Sequence, residues 1–200
     1  MLILGLNGSP QKEGNTVQLL REALNAAEQL GAKVELIHVV DGLEDALMPF
    51  CNQCCDPCVG ACAHNNKLGD IYDLLAKADG IILGSPVYFG TVSGQMKGFW
   101  DKTRILRRNK TLLNVVGGAV SVGSARFGGQ ETTVRALQDI MLVHGMTVIG
   151  DGYEEDDCGH QGACAQKPAA QDDFGLKRAA IMGRRVAQLA KATIGLRKRP

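Results

Sequence analysis

The sequence contains no apolar run long enough to cross a membrane and no excess of charge of one sign. A membrane-spanning helix needs about 20 consecutive apolar residues. The first apolar run, residues 1–6, is also too short for a secretory signal and has no basic residue before it. The formal net charge of +1 argues against nucleic acid as the main partner, because phosphate binding requires a basic face. We therefore expect a cytoplasmic protein without a membrane or nucleic-acid partner.

The chain also lacks the motifs of several enzyme classes. No Gly-Lys-Ser/Thr of a Walker loop follows its first glycine-containing loop, and the glycine spacing there differs from that of the dinucleotide-binding fingerprint. No convincing Ser/His/Asp or Cys/His arrangement is present for nucleophilic catalysis. Any enzymatic chemistry is therefore expected to come from a bound cofactor that the protein positions.

What the chain has in abundance is cysteine within one short stretch. Five of its seven cysteines fall within twelve residues: Cys51, Cys54, Cys55, Cys58 and Cys62. Thiols stay reduced in the cytosol, so this density indicates metal or redox chemistry more than disulfides. Closely spaced thiolates hold iron–sulfur clusters or a structural zinc ion. Free thiols or oxidative disulfides are the alternative.

Apolar segments typical of strands alternate with amphipathic segments typical of helices. Strands are predicted at residues 2–7, 33–40, 80–85, 111–121 and 146–150, and helices at 16–30, 70–78, 92–106, 131–144 and 173–192, with Asp70 capping the second helix. This alternation favours a doubly wound parallel α/β sheet, in which ligands bind beyond the carboxyl ends of the strands. We expect one domain over residues 1–195, followed by a solvated basic tail, residues 196–200.

The segment GSPQKEGNT, residues 8–16, joins the first predicted strand to the first helix. Its two glycines allow a tight turn, and Ser9, Asn15 and Thr16 offer hydrogen-bonding side chains. The start of the helix adds free amides and the positive end of the helix dipole, so we predict a phosphate site here. An ordinary turn with Asn15 or Thr16 as the helix cap is the alternative, although the loop is longer than such a turn requires.

The segment SPVYFGTVSGQMKGFWDK, residues 85–102, begins at the end of the third predicted strand. Tyr88 and Phe89 supply aromatic surface against which a flat ring can pack. Phe99 is predicted to lie in the core, because its spacing from Met96 is helical.

Together these two segments resemble the flavodoxin-like superfamily of NAD(P)H-dependent FMN reductases. The cysteine stretch, in an insertion at residues 49–66 after the second strand, is similar to that of the superfamily's iron–sulfur flavoprotein branch. The resemblance extends from Leu2 to about Leu189. It implies a flavodoxin-like, five-stranded parallel sheet of order 2-1-3-4-5, with FMN as the cofactor.

The resemblance implies that the FMN phosphate lies in the first loop and the isoalloxazine ring lies against the loop after strand 3. A third flavin loop, VGSARFGGQE at residues 122–131, is expected to face the pyrimidine edge of the ring; a solvated loop charge is the alternative for its arginine. The implied FMN-binding residues are Ser9, Gln11, Asn15 and Thr16 for the phosphate, Pro86, Val87, Tyr88, Phe89 and Gly90 around the ring, and Ser124 and Arg126 in the third loop.

The same resemblance implies that the cysteines hold a 4Fe-4S cluster, with zinc as the alternative metal. The predicted ligands are Cys51, Cys54, Cys58 and Cys62, and Cys55 is an alternative ligand. The spacing departs from the family's usual one, because no three cysteines run C-x2-C-x2-C and Pro57 stands where the third would follow Cys54. His64 is expected to face solvent.

Cys158 and Cys164 lie in a polar segment without a periodic pattern, residues 151–171, after the fifth predicted strand. We hypothesise that this long loop closes over the flavin or the cluster, of the same or a neighbouring subunit. Surface thiols on a mobile loop are the alternative.

The resulting functional prediction is an FMN-dependent oxidoreductase, specifically an NAD(P)H-dependent reductase of flavin, quinone or a similar acceptor. One alternative is an iron–sulfur flavoprotein that passes electrons between ferredoxin-type donors and acceptors through the 4Fe-4S cluster and FMN. Another is a zinc-structured, non-enzymatic sensor or interaction module. The resemblance also implies a homo-oligomer, either a dimer or a tetramer.

Overall fold

The computed structural model describes residues 1–197, in which a six-stranded parallel sheet carries helices on both faces. The strands are β1 (Leu2–Asn7), β2 (Lys33–His38), β3 (Gly80–Pro86), β4 (Val116–Gly123), β5 (Thr147–Val148) and β6 (Ala163–Gln166). The helices are α1 (Asn15–Glu28), α2 (Val39–Glu44), α3 (Lys67–Lys77), α4 (Gly94–Lys102), α5 (Arg104–Arg108), α6 (Gln130–Val143) and α7 (Asp173–Ala192). Among the described residues, no helix is both long and apolar enough to span a membrane.

The sheet has the order β2-β1-β3-β4-β5, which confirms the predicted order 2-1-3-4-5. The central strands β1, β3 and β4 are buried along nearly their whole length, because helices cover both faces. Side chains of α1 and α7 form the core on one face, and those of α3, α4 and α6 form the core on the other. The loops that follow the three central strands therefore emerge side by side at one edge of the sheet.

The fifth strand is split into two pieces, which the sequence did not predict. β5 pairs with Val116 and Gly117 at the start of β4, whereas β6 pairs with residues 120–123 at its end. Between the pieces the chain leaves the sheet at Gly150 and returns at Gly162. The prediction of one strand at residues 146–150 and an unstructured loop up to residue 171 was therefore wrong.

Between β2 and β3, the starts of the two helices α2 and α3 differ from the prediction. Strand β2 ends at His38 rather than residue 40, and α2 follows directly. Helix α3 begins at Lys67 because Asn66, and not Asp70, is its cap: Asn66 Oδ1 accepts the Gly69 amide at 3.1 Å. Asp70 instead lies in the first turn of the helix, where its charge favours the positive end of the dipole.

The predicted helix 92–106 is two helices. Ser93 caps the first, and the chain bends at Thr103, whose hydroxyl donates to the Trp100 carbonyl oxygen at 2.7 Å. Phe99 lies in the core, as predicted. Strand β4 starts at Val116, five residues later than predicted, because residues 111–114 form a turn after α5.

Arg197 is buried rather than solvated in a tail. Its guanidinium lies 3.2 Å from the Asp79 carboxylate and donates to the carbonyl oxygens of Asp79 and Ala190 at 2.8 and 2.7 Å. Asp79 precedes β3 and also accepts the Leu2 amide at 2.7 Å. The expected solvated tail was therefore wrong for Arg197, and its last part, residues 198–200, lies outside the described residues.

Candidate flavin site and cysteine loop

Asn7 organises the loop that follows β1. Its side-chain nitrogen donates to the carbonyl oxygens of Ser9 at 3.1 Å and Gln11 at 3.2 Å, and its Oδ1 atom accepts the Ser9 amide at 3.0 Å. The same nitrogen lies 3.0 Å from Nδ1 of His38, so that Nδ1 accepts and the ring is neutral. Burial lowers the pKa of His38, which favours the same neutral form. From the sequence, Asn7 was predictable only as the end of a strand.

The start of α1 has no side-chain cap. Gly14 occupies the cap position, and neither Asn15 nor Thr16 caps the helix. The first amides of a helix have no partner within it, so an uncapped N-terminus presents donors and a positive dipole end to an anion. The alternative of an ordinary turn capped by Asn15 or Thr16 was therefore wrong, and the phosphate site stays a prediction.

Two of the predicted phosphate residues also hold the loop in place. Ser9 is buried, and its hydroxyl oxygen accepts the Gln11 amide at 3.1 Å, which leaves the hydroxyl proton available to a ligand. Asn15 accepts the Ala169 amide at 2.8 Å and so joins this loop to the segment before α7. Thr16 is buried in the first turn of α1, and the Gln11 side chain is exposed.

Ser93 joins the loop after β1 to the start of α4. Its hydroxyl donates to the Gly8 carbonyl oxygen and accepts the Met96 amide at 3.1 Å, while its own amide donates to Ser85 Oγ at 3.0 Å. Gly8 in turn donates its amide to the Gly84 carbonyl at 2.8 Å. A Cβ atom at Gly8 would lie 2.7 Å from the Met96 methyl carbon, so this close approach requires glycine.

The loop after β3 contains a tight turn that exposes an aromatic ring. Tyr88 and Thr91 exchange backbone hydrogen bonds of 2.9 and 3.2 Å, and Phe89 and Gly90 between them have φ angles of 50° and 79°. A left-handed conformation is strained for phenylalanine. The Phe89 side chain is nevertheless fully exposed, so it does not offset this strain through burial in the chain itself. The Thr132 hydroxyl donates to the Gly90 carbonyl at 2.7 Å and fixes the turn against α6.

Gln130 holds the loop after β4. Its buried side chain accepts the Gly128 amide at 2.9 Å and donates to the carbonyl oxygens of Ala125 at 2.6 Å and Ala165 at 3.3 Å. It therefore connects this loop to β6, a role that no local sequence pattern predicts. Two of the predicted flavin residues, Ser124 and Arg126, lie in this loop with exposed side chains.

The structure brings the predicted FMN-binding residues to one edge, because β1, β3 and β4 are neighbours in the sheet. The Val87 amide also donates to the Val122 carbonyl at 2.9 Å, which joins the second loop to the third. The predicted FMN-binding residues at this edge are Ser9, Gln11, Asn15 and Thr16 after β1, Pro86, Val87, Tyr88, Phe89 and Gly90 at the end of β3, and Ser124 and Arg126 after β4.

The cysteine loop, residues 49–66, lies between α2 and α3. All five of its thiols border one small cavity, together with Lys102 at the end of α4 and Arg104 at the start of α5. These cysteines are Cys51, Cys54, Cys55, Cys58 and Cys62. The Arg108 guanidinium donates to the Cys58 carbonyl at 3.0 Å and joins the loop to α5. His64 is exposed, as expected.

A backbone amide points at one of the sulfurs. The Val59 amide donates to Cys55 Sγ at 3.4 Å, and this hydrogen bond is the main reason why the pKa of Cys55 is lowered. Cys54 Sγ lies 4.0 Å from Cys55 Sγ. Hydrogen bonds to sulfur are one of the ways in which a protein sets the properties of an iron–sulfur cluster.

The thiols do not surround a single point. Within residues 1–197, no three His, Cys, Asp or Glu side chains are arranged to hold one metal ion. A structural zinc ion needs all four sulfurs about 2.3 Å from one atom, whereas each thiolate of a 4Fe-4S cluster binds a different iron.

Comparison with known proteins identifies the family. Residues 1–160 match the model of the NADPH-dependent FMN reductase family. The chain belongs to this family. An iron–sulfur flavoprotein of Methanocaldococcus jannaschii is 43% identical over 197 residues, which cover 96% of this chain and 98% of that protein. An iron–sulfur flavoprotein of Methanosarcina thermophila is 36% identical over 178 residues, 88% of each chain. These relatives confirm the iron–sulfur flavoprotein branch and support an FMN-dependent oxidoreductase.

Solved structures confirm the flavodoxin-like fold of this FMN reductase family member. The WrbA-like flavodoxin of Agrobacterium tumefaciens matches with a TM-score of 0.69 at 21% identity and covers 96% of this chain and 97% of its own. The apo form of an NADH:FMN oxidoreductase matches with a TM-score of 0.66 at 18% identity, and the match covers 94% of this chain and 88% of that one. At such identities the likeness shows the fold alone.

The two remaining cysteines of this family member lie in different settings. Cys158 is exposed in the excursion between β5 and β6. Cys164 is half-buried in β6, where burial raises the pKa of its thiol to about 12. The expectation that both lie on an unstructured loop was therefore wrong for Cys164, which belongs to the sheet. Closure of the loop over a cofactor stays a prediction.

A large cavity of about 740 Å³ adjoins the flavin edge of this FMN reductase family member. It opens between the starts of α6 and α7, with Gln130 and Arg126 on one side and Cys164, Lys167 and Phe174 on the other. Of the predicted FMN-binding residues, Arg126 alone borders it. The cavity is therefore next to the candidate flavin site and not the site itself.

Proposed function

We propose that FMN binds across the carboxyl ends of β1, β3 and β4, and that this oxidoreductase takes electrons from NAD(P)H and passes them to a small-molecule acceptor. FMN exchanges hydride and single electrons when bound, so the protein needs only to hold and orient it. The observation that carries the proposal is the uncapped start of α1. The hydrogen bonds of Asn7 and Ser93 fix the loop that leads to it.

Phosphate recognition in this proposal depends on dipoles more than on charge. Lys12 pairs with Asp41, and Glu13 pairs with Arg21, so the charges of the first loop are already compensated. The amides at the start of α1 and the Ser9 hydroxyl proton remain as donors to an anion. The full proposed phosphate set is Ser9, Gln11, Asn15 and Thr16.

The isoalloxazine ring is proposed to lie against the turn after β3. Tyr88 and Phe89 are exposed there, and an exposed aromatic ring in a strained backbone conformation suggests a contact that the chain alone does not make. Pro86, Val87 and Gly90 complete this wall. Ser124 and Arg126 are proposed to face the polar edge of the ring, where a cation stabilises a reduced, anionic flavin.

A 4Fe-4S cluster is proposed on Cys51, Cys54, Cys58 and Cys62, with Cys55 as the alternative ligand. The five thiols fit this group because they border one cavity and a backbone amide donates to one sulfur. Bound, the cluster carries one electron at a time. The alternative is a non-enzymatic module structured by zinc, which the metal and flavin content of the purified protein tests.

A second candidate function is supported by the face beside the cysteine loop. Arg104, Arg107, Arg108 and Lys110 crowd into seven residues on and just after α5, and Arg108 contacts the cysteine loop directly. Within residues 1–197, only Arg104 of these lies near a carboxylate, that of Asp56 at 3.9 Å. A basic face next to a one-electron centre suits an acidic redox protein of the ferredoxin type, because opposite charges guide the encounter.

Cofactor analysis tests both candidates first. Anaerobically purified protein is analysed for FMN, iron, sulfide and zinc on one sample. Stoichiometric FMN with about four irons per chain is expected. A colourless protein with zinc and no FMN would support the non-enzymatic module and end both proposals.

Electron-donor kinetics then separate the two candidates. Oxidation of NADH and NADPH is compared with reduction of the flavin by a reduced acidic ferredoxin at low and high salt. Turnover with a nicotinamide nucleotide supports the first candidate. Rapid reduction by ferredoxin that slows as salt rises, and slows again in the variant Arg107→Glu, supports the second. A matched control is Arg135→Glu, which reverses an exposed charge on α6.

Single serine variants test the ligand set. Cys51→Ser, Cys58→Ser and Cys62→Ser are each expected to lose iron, because each leaves an iron without its thiolate. Cys55→Ser is expected to keep about four irons per chain. If Cys55→Ser loses iron while Cys54→Ser retains it, the alternative set is the correct one.

Self-association is proposed as well. Phe89, Phe127 and Phe174 expose their rings around the flavin edge, and exposed aromatic surface of this kind is typical of interfaces. Sedimentation of the FMN-loaded protein is expected to give a dimer or a tetramer. A monomer at micromolar concentration would exclude the proposed self-association.

A further inference from the structure

Lys102 is a buried lysine beside the thiols. It is the last residue of α4, its exposure is only 3%, and it borders the same cavity as the five cysteines. Lysine is almost never buried unless it is paired, because its ammonium group loses hydration. Lys97 on the same helix behaves in the ordinary way: it is exposed and pairs with Asp101 at 2.7 Å.

Among the described residues, Lys102 has no carboxylate as a counter-charge. In the described part of the chain, it takes part in no ion pair and no side-chain hydrogen bond. The described residues that border its cavity include no Asp or Glu. The groups there that can become anionic are thiols. A largely buried lysine that lines the same cavity as five cysteines suggests that the thiolates, once they bind a metal centre, are the partner of its charge.

Arg104 shares the cavity but is a weaker candidate for this role. Its side chain is 36% exposed and lies 3.9 Å from the Asp56 carboxylate, so solvent and a carboxylate both screen its charge. Lys102 is only 3% exposed and forms no ion pair with a carboxylate of the described residues, so its charge is screened less than that of Arg104 and acts more strongly on its neighbours.

We infer that Lys102 is the buried counter-charge of the cysteine-bound cluster and raises its reduction potential. The inference rests on the proposed 4Fe-4S centre. A cluster held by four thiolates becomes more negative when it accepts an electron, so a fixed cation stabilises the reduced state more than the oxidised state. Lys102 acts on the centre through this field and ligates no iron.

The test compares Lys102→Met, Lys102→Arg and the control Lys97→Met. All are purified anaerobically, analysed for iron and sulfide, and titrated potentiometrically while the reduced cluster is followed by electron paramagnetic resonance. Lys102→Met is expected to shift the cluster midpoint to a lower potential at unchanged iron content. Lys102→Arg is expected to stay near the wild type, and Lys97→Met, which removes the same formal charge from the surface, is expected to leave the midpoint unchanged.

Each outcome decides the inference. An unchanged midpoint in iron-replete Lys102→Met overturns it. If Lys102→Met does not retain iron, Lys102→Arg must restore both the iron and the midpoint; failure to do so also overturns it. A wild-type protein without iron and sulfide is a different result, since it refutes the proposed cluster itself.

Discussion

The Nε atom of Arg178 donates to Oδ2 of Asp151 at 2.6 Å, and both side chains are almost fully buried. The other arm of the guanidinium contacts Asp157 at 2.9 Å and Asp156 at 3.1 Å. One arginine of α7 therefore holds three carboxylates of the excursion between β5 and β6. This contact explains how a polar segment without a periodic pattern is ordered.

Replacing Arg178 by methionine is expected to destabilise the fold by about 3–5 kcal/mol, because it leaves the Asp151 carboxylate buried without its partner. Urea unfolding at pH 7 measures the change. The control is Lys177→Met, on the same helix as Arg178. It removes an exposed ion pair with Asp156 and is expected to cost about 1 kcal/mol or less. Equal losses in the two variants would contradict the central role of Arg178.

Stability is expected to fall on acidification because of His144. Burial, assisted by the nearby Arg107, lowers the pKa of this histidine to about 4. The unfolded state, with a pKa near 6.5, binds a proton that the folded state refuses, so the stabilisation is complete above about pH 6.5 and is lost as the pH falls toward 4. The shift in pKa from 6.5 to about 4 corresponds to a loss of about 3 kcal/mol.

Urea unfolding of the wild type and of His144→Gln at pH 7 and pH 4.5 tests this expectation. The variant should show a smaller difference between the two pH values, because it has no proton to bind at this position. If both proteins lose the same free energy of unfolding, other groups cause the pH dependence.

Ser93→Ala is expected to reduce stability by about 1 kcal/mol, the usual cost of a lost helix cap. It should also weaken FMN binding, because the Ser93 hydroxyl connects Gly8 to α4. Fluorescence titration with FMN measures the second effect. Ser121→Ala is the control, since the buried Ser121 hydroxyl has no hydrogen-bond partner in the part of the chain that the structure describes, and its removal is expected to cost little. Similar FMN affinity in both variants would exclude the proposed role of Ser93.

Phe89→Gly is expected to change the stability of the FMN-free protein by less than about 1 kcal/mol, since relief of the left-handed strain offsets the added freedom of the unfolded chain. FMN affinity or turnover should fall about tenfold, because the aromatic contact is lost. Phe89→Tyr keeps an aromatic ring and should retain both the FMN affinity and the turnover of the wild type. An unaltered affinity in Phe89→Gly would remove Phe89 from the flavin site.

The alternation of strands and helices was predictable from local signals, whereas the order of the sheet was implied by the resemblance to the flavodoxin-like superfamily. β1 and β3 are short buried apolar runs that end at a glycine or a proline, and α1 and α7 have amphipathic periodicity. The split fifth strand was not predictable in this way. β5 has two residues and β6 has four, so neither is long enough to show a pattern, and both depend on pairing with β4.

The residues missed at the site are polar groups whose partners are distant in sequence. Asn7, Ser93 and Gln130 each hold a loop through contacts that a local pattern does not show. A signal did exist for Lys102. It follows Met96 and Phe99 at helical spacing, which puts a lysine on the buried face of α4.

The two halves of β4 have separate partners at the edge of the sheet, and this separation has a consequence for protein engineering. The chain between β5 and β6 begins and ends at fixed attachments, so its length can change while the register of both attachments stays the same. A foreign domain inserted beside the exposed Cys158 is expected to keep both attachments if the contacts of Asp156 and Asp157 with Arg178 are preserved. This turn of the excursion is therefore a natural position at which to fuse a second redox module.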